Sequence, residues 1–462
     1  MKLFNFKSKI FKAGAALAFF SLTAKAAGLL RDRILASHFG AGSTLDIYYS
    51  AFKIPDLIFN LVVLGAVSSA LIPVFLEHYR VDREKAWRLA KNFLNISFAA
   101  VSVSAVIVFV FAGPLSAVIA PGFSGAAREI LKNLLRVMLL SSLIFSLSAV
   151  MGSVLQALER FLAYSLAPIF YNAGIIVGAL YFAPWAGSRG IDEIYGLGAG
   201  VVFGALLHLA VQLPPALAAG FRFGKLTVSS STRFRASRFG GFFDFYDDGF
   251  RKIFRLLIPR TLGLGAFSAG SAVINALAST MAVGSITAFN FANNLQFVPI
   301  SVLGISVATV VFPKLSFHAA GNEKDFFLGK LKKALRWAFL MVAPLALAMF
   351  VLRREIIGLI FTGGAFGGRN AELTASVLGI FMLGVIGHSL VPVMTRAFYA
   401  LQNTKIPVTM SVLSIFLNII LGSFFTFVLG WGIKGLALSF SIAGNFNFLF
   451  LYVYFKKFFR KW

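Results

Sequence analysis

Apolar residues along this 462-residue chain run in blocks long enough to cross a bilayer, for which about 20 consecutive residues are needed. Marking blocks by apolar length and intervals by charge predicts twelve helices, starting near residues 10, 44, 91, 127, 161, 194, 253, 284, 333, 371, 406 and 432. The period-two alternation of a membrane β-barrel is not sustained anywhere. Gly and Pro fall inside the blocks, as spanning helices permit when neighbours re-satisfy the backbone. The first block follows Lys2, Lys7, Lys9 and Lys12 and reaches Thr23-Ala24-Lys25-Ala26-Ala27, which resembles a cleavable signal. Its pattern continues through Leu29, Leu30, Ile34 and Leu35 to Gly40, so a retained first helix is expected.

The pattern repeats. Ser43 to Phe75 carries Ala51-Phe52, Pro55, Leu64-Gly65, Ser68 and Pro73; Ser285 to Leu315 carries Phe291-Ala292, Pro299, Leu303-Gly304, Ser306 and Pro313. Ala157-Leu158 followed by Ile169-Phe170-Tyr171-Asn172 is echoed by Ala400-Leu401 followed by Ile415-Phe416-Leu417-Asn418. With an even number of spans per copy the repeat is parallel. The expected fold class is an all-α polytopic membrane protein, about twelve transmembrane helices in two six-helix lobes around a central cavity. The polar, Ser- and Arg-rich insert 222–250 divides an N-terminal lobe, 1–221, from a C-terminal lobe, 251–462.

Composition agrees and narrows the chemistry. Hydrophobic residues make up 58% and charged residues 13%, with 53 Phe and a mean hydropathy of +0.84. The absence of Cys excludes disulfides, thiolate zinc sites and a Cys nucleophile. A net charge of +26 would in a soluble protein point to nucleic acid; here the cations crowd alternate connections, so topology accounts for them and no nucleic-acid partner is expected. Arg80, Arg83, Lys85, Arg88 and Lys91, then Arg160, then Arg222, Lys225, Arg233, Arg235 and Arg238 mark the cytoplasmic side, followed by Lys324, Lys330, Lys332 and Lys333, by Lys405, and by the tail Lys456, Lys457, Arg460 and Lys461. Both termini are therefore expected in the cytoplasm, although Arg353, Arg354 and Arg369 weaken the contrast at one outer connection.

Enzymatic chemistry finds little to work with. Asp244, Asp247 and Asp248 are the acidic cluster a catalytic reading would need, and they lie in the insert. No enzyme, metal site or cofactor is expected. Gly363-Gly364 and Gly367-Gly368 lack the Lys-Ser/Thr of a P-loop and read as a turn. Gly196, Gly198, Gly200 and Gly204 read as a close helix contact, and the lone His208 and His388 as helix–helix hydrogen bonders.

What remains is a set of charges within the first two spans. An ionisable group at the centre of the bilayer costs about 2.5 to 3.5 kcal/mol even on insertion scales, so Lys25, Arg31, Asp32, Asp46 and Lys53 are expected to face a polar cavity or one another. The alternative is that Arg31, Asp32 and Arg33 pair and snorkel at the outer interface. A basic cavity suits an anionic cargo and argues against a drug/cation antiporter, which needs an acidic one.

Gly28-x-x-Arg31-Asp32, Phe39-Gly40-Ala41-Gly42, Asp46, Ala51-Phe52-Lys53-Ile54-Pro55, Gly65-Ala66 with Ser69-Ala70 and Pro73, Ala120-Pro121-Gly122-Phe123 and Pro259-Arg260 resemble the MurJ (MviN) family of lipid II flippases, within the multidrug/oligosaccharidyl-lipid/polysaccharide exporter superfamily. Ala397 to Lys405 with Pro407, and Gly435-Leu436-Ala437-Leu438-Ser439, fit as well, so the resemblance covers nearly the whole chain. It implies movement of the undecaprenyl-diphosphate-linked peptidoglycan precursor, lipid II, from the inner to the outer leaflet of the bacterial cytoplasmic membrane by alternating access. It also implies membrane lipids and cell-wall synthesis proteins as partners. Another undecaprenyl-diphosphate-linked oligosaccharide is the alternative cargo.

Carried over position by position, the resemblance gives the diphosphate Lys25, Arg31, Lys53 and Arg260, with Asp32, Asp46 and Asn294 supporting them; Asp46 is expected to orient Arg31 or Lys53. Two departures make the cavity less basic than in some members: Phe59 stands where they have Arg, and Asn294 where they have a basic residue. The family's sodium site in helices seven and eleven finds Asn275 and Asn418 here, without a carboxylate, which leaves the membrane potential as the simpler driver.

Overall fold

A computed structural model describes residues 2–61, 71–222 and 248–459, and every regular element among them is helical. The chain runs through α1 (Lys2–Phe39), α2 (Ser43–Ala51), α3 (Lys53–Phe59), α4 (Ile72–Val81), α5 (Arg83–Val110), α6 (Ala112–Ile119), α7 (Gly125–Ala157), α8 (Phe161–Val177), α9 (Ala183–Ser188) and α10 (Glu193–Ala218). It continues through α11 (Asp248–Ser279), α12 (Ser285–Pro299), α13 (Ser306–Ala320), α14 (Lys324–Val351), α15 (Arg353–Phe361), α16 (Gly368–Ala400), α17 (Lys405–Ser423) and α18 (Gly432–Phe459). Among the described residues, 9 helices are long and apolar enough to cross a membrane, and 264–279 adds a shorter apolar stretch in α11. With the 38-residue α1 and the α2–α4 region this matches the expected set of about twelve spans.

Three spans are completed by a π-helical turn, at Gly178–Phe182, Ile300–Ile305 and Phe424–Val428, and Asn60 and Leu61 begin another. Their places respect the internal repeat: the turns after α8 and α17 correspond, as do those at Asn60 and after α12. A π turn admits one extra residue and swings the side chains beyond it to a new face. The widened turns lie where another helix passes close. A Cβ on Gly200 of α10 would fall 2.4 Å from the Gly178 Cα, and one on Gly304 would fall 2.6 Å from the Ser389 carbonyl oxygen. Together with Gly196 and Gly204, Gly200 lets α10 lie backbone to backbone on α8 and its π turn, the packing role expected of this stripe.

By packing, the chain divides into two compact units. The first comprises Met1–Ile34, Ala51–Ala117 and Gly125–Ser268. Its frame is α10 against α7 and α8, with α5 on α7, around buried Leu131, Leu134, Leu135 and Met138. Asp82 caps α5 by accepting from the amides of Glu84 and Lys85, and Asp192 caps α10 through Ile194. Phe75, Tyr79, Trp87 and Phe221 form an aromatic cluster where α4 turns into α5.

The second unit comprises Leu35–Ser50, Val118–Ser124 and Ala269–Trp462. Its frame is α16 against α18, α14 and α12, with Phe327, Phe398, Leu451 and Phe455 at the heart of a buried cluster. The ends of α1, α2 and α6 are built into this unit rather than into the first. The Gly363–Phe366 turn forms, with Gly364 in the left-handed region at φ 56, and the Ala365 amide donates to the Ser37 carbonyl at 2.8 Å. Stacked Phe291 and Phe361, 4.6 Å between ring centres, close this end.

Candidate functional site

In the first unit Arg31 is joined to Asp32, its neighbour in the chain, and to Asn172. Its guanidinium lays a fork on one oxygen of Asp32, with Nε at 3.0 Å and Nη2 at 2.7 Å from Oδ1, while Nη1 donates to Asn172 Oδ1 at 3.1 Å. The Asn172 amide is held in that sense because its Nδ2 donates to the Pro168 carbonyl at 2.9 Å, leaving Oδ1 to face the guanidinium. Asp32 is 1% exposed and the Arg31 side chain 20% exposed, so the carboxylate is buried and the guanidinium largely so. A buried ion pair recovers its desolvation cost through such geometry, and losing one partner strands the other charge.

Two further groups complete the first-unit site. Lys53 and Asp56, three residues apart on α3, lie within electrostatic reach of each other, and Tyr171 lies within reach of both Arg31 and Asp56. The helix α7 positions these elements. Its buried Ser142 donates to the Pro55 carbonyl at 3.5 Å, and its Phe145 packs edge-on against Tyr171 at 5.0 Å. Phe59 joins this wall, 5.8 Å from Phe145. Lys25 is half-buried on α1, about 9 Å along the axis from Arg31 at 1.5 Å per residue. The arrangement offers two cations each close to its own carboxylate, plus Lys25: fixed positive charge held in place by protein anions.

Sequence reasoning missed Asp56, Tyr171 and Asn172 as parts of this group. Asp56 carried a signal, its three-residue spacing from Lys53 on a helix. Asn172 carried one as a repeat position, since its counterpart Asn418 also serves as an acceptor, from Ser439 Oγ at 2.8 Å.

Asp46 has a different task from the one expected. It lies in the second unit, 3% exposed, and its carboxylate does not orient Arg31 or Lys53 but caps the start of α12. Oδ2 accepts from the Gly284 amide at 2.6 Å, and Oδ1 from the Thr287 amide at 2.8 Å and hydroxyl at 2.7 Å. Gly284, at φ 90, lends no side chain to the helix it precedes, so Asp46 supplies the missing cap from another part of the chain and meets the positive end of the helix dipole. Neighbouring bonds act alike. Asn275 Nδ2 donates to Ser50 Oγ and to the Ile119 carbonyl, Asn370 Nδ2 to the Ala41 carbonyl, and Gly122 N to Ser279 Oγ.

Asn294 is half-buried on α12 in the second unit. Arg260 lies in α11, but its side chain is outside the described residues, as are Asp244 and Asp247 and the side chain of Asp248. His208 accepts or donates at Nδ1 to Ser148 Oγ at 2.6 Å, and His388 stacks on Phe440 with Nε2 on its carbonyl at 3.3 Å; both join helices as expected. Among the described residues no three His, Asp or Glu cluster as metal ligands would.

The family model for the lipid II flippase MurJ matches residues 35–461. The chain belongs to this family. A probable lipid II flippase MurJ of Buchnera aphidicola is 29% identical over 441 residues, which span 93% of this chain and 81% of the relative. The lipid II flippase MurJ of Burkholderia cenocepacia is 26% identical over 451 residues, 97% of this chain and 84% of the relative. Among solved structures, a lipid II flippase MurJ in an inward closed conformation superposes with a TM-score of 0.77 at 22% identity, covering 95% of this chain and 87% of its own. An inward-facing multidrug resistance transporter of the MATE family and MOP superfamily gives 0.74 at 14% identity, covering 96% and 98%. At these identities the structural likeness shows the fold alone, a multi-pass helical membrane fold. Within the second unit, Asn275 ties α11 to Ser50 and to the Ile119 carbonyl.

Proposed function

We propose that this chain is a lipid II flippase of the bacterial inner membrane, moving undecaprenyl-diphosphate-linked peptidoglycan precursor from the cytoplasmic to the outer leaflet by alternating access, with both termini cytoplasmic. The observation that carries this reading is the family match over residues 35–461. The geometry supplies a means. A diphosphate needs fixed cations, and a guanidinium can meet phosphate oxygens bidentately where an ammonium acts as a point charge. Lys25, Arg31, Lys53 and Arg260 take the diphosphate. Asp32 and Asn172 hold the Arg31 fork so that little ordering remains when the anion arrives, and Asn294 supports from the second half.

Carboxylates beside Arg31 and Lys53 serve release as well as shape. Unopposed cations would hold a diphosphate too firmly to let it go, whereas cations that can return to Asp32 and Asp56 bind it reversibly. The capping of α12 by Asp46, with the Asn275, Asn370 and Gly122 bonds, joins elements of the two sequence halves at connections that the charge asymmetry assigns to the outer side. A negative cell interior favours expulsion of an anion, worth about 2.3 kcal/mol per charge per 100 mV. Proteins of cell-wall synthesis, which consume the delivered precursor, are the partners this reading implies.

The test uses purified protein in vesicles loaded with fluorescent lipid II and a membrane-impermeant quencher. Protein-dependent exposure of the inner-leaflet label, slowed by Arg31→Ala, is expected. Exposure no faster than in protein-free vesicles contradicts the proposal, and exposure only of a different undecaprenyl-diphosphate-linked glycan transfers it to that cargo.

A further inference from the structure

On the first unit, away from the Arg31 group, an open groove of about 590 Å³ runs between α1, α8 and α10, within the ~300–1,000 Å³ of small-ligand sites. Phe20, Phe161, Leu166 and Val211 make its walls apolar, and Glu159 and Arg160 stand at its end. The turn that carries this charged pair is sharply defined. Glu159 sits in the left-handed region at φ 58, and the Arg160 amide closes the helix end by donating to the Leu155 carbonyl at 2.8 Å. Arg160 Nη1 donates to the Pro215 carbonyl at 2.8 Å, pinning the guanidinium to α10. Among the described residues that is its one hydrogen bond, and the Glu159 carboxylate has no ion-pair partner there.

The internal repeat provides a comparison. The same turn recurs at Gln402, φ 56, where the Asn403 amide donates to the Phe398 carbonyl at 2.9 Å. There the two positions are uncharged, and Asn403 turns its side chain back to cap α17 through the Ile406 amide. The backbone device is therefore common to both halves, while the adjacent opposite charges over an apolar groove belong to the first alone.

We propose that this groove binds one zwitterionic glycerophospholipid of the phosphatidylethanolamine class, an acyl chain between α1, α8 and α10, its phosphate on Arg160 and its ammonium on Glu159. Charge complementarity selects the occupant. An anionic headgroup would meet the Glu159 carboxylate, and a headgroup without an amine would leave it unmatched. The apolar flank faces lipid, since Leu162 beside it is 58% exposed in a membrane-spanning helix. The connection carrying the pair is one that the distribution of Lys and Arg assigns to the cytoplasmic side, which places the lipid in the inner leaflet. Phe20 is on α1, the helix that presents Lys25 and Arg31, so the lipid braces the cationic arm from outside.

Native mass spectrometry of the detergent-purified protein with phosphatidylethanolamine and phosphatidylglycerol of matched chains tests this. The wild type is expected to retain the ethanolamine lipid about fivefold better, the scale of one exposed charge pair. Glu159→Lys makes the mouth doubly cationic and should reverse the preference, a gain that misfolding cannot imitate. Leu166→Trp, which fills the groove, should lower retention of both lipids. Equal retention by the wild type, an unchanged preference in Glu159→Lys, or undiminished binding in Leu166→Trp would each overturn the proposal.

Discussion

Replacing Asp46 by Ala removes a carboxylate that serves three donors at once, the Gly284 amide and the Thr287 amide and hydroxyl, at 2.6 to 2.8 Å. The loss has two parts. Removing an N-cap costs about 1 to 2 kcal/mol, and each buried donor left unmade costs about 1 to 3 kcal/mol, offset in part by water that enters the space vacated. A net of about 3 kcal/mol follows, a factor of roughly 100 in the equilibrium for opening the first turn of α12. Hydrogen exchange read by mass spectrometry on peptides covering 284–290 should therefore accelerate about 100-fold in Asp46→Ala. Asp46→Asn keeps an acceptor for Thr287 but sets an amide against the Gly284 N–H, so an intermediate acceleration of about tenfold is expected. Exchange in this peptide within twofold of wild type, with peptides of α16 also unchanged, would refute the assignment of Asp46 as the cap of α12.

Three other outcomes follow from the same geometry. Gly200→Leu drives a side chain into the Gly178 backbone, 2.4 Å from its Cα, and should destabilise the first unit by more than the ~1–3 kcal/mol of ordinary overpacking, seen as a lowered melting temperature or loss of folded protein in detergent. Asn172→Ala removes the acceptor that holds Arg31 Nη1 and should slow lipid movement in vesicles about tenfold, the scale of one hydrogen bond to a charged group, whereas the repeat-equivalent Asn418→Ala should not. Arg31→Lys keeps the charge but not the fork, so its transport should fall well below wild type while its folded yield matches; equal transport by the two would show that charge alone matters.

The helices were legible because membrane spans announce themselves by length. Predicted starts near 161, 194, 284, 406 and 432 lie within one or two residues of α8, α10, α12, α17 and α18. The glycines of α10 and the two lone His were read correctly because small residues and isolated polar groups in apolar helices have few other uses. The π turns were not foreseen, since one extra residue barely disturbs a block that is apolar on every face. Partner choice was the main blind spot. Arg31 and Asn172 are 141 positions apart, and Asp46 reaches 241 positions along the chain to Thr287. Proximity in sequence favoured Arg31 and Lys53 as partners for Asp46, and what overrode it was the unsatisfied amide end of α12, whose leading Gly284 cannot cap it. The place of Phe59 in an aromatic wall with Phe145 became visible only in three dimensions.

The most direct test of the central claim is made in bacteria depleted of their own lipid II flippase and supplied with this chain, measuring how fast lipid II becomes accessible to an externally added lipid-II-cleaving enzyme. Restored cleavage that is lost in Lys25→Ala and Arg31→Ala is the predicted result. No cleavage despite confirmed membrane insertion would contradict lipid II transport, and full rescue by both variants would contradict the cationic site built on Arg31, Asp32 and Asn172.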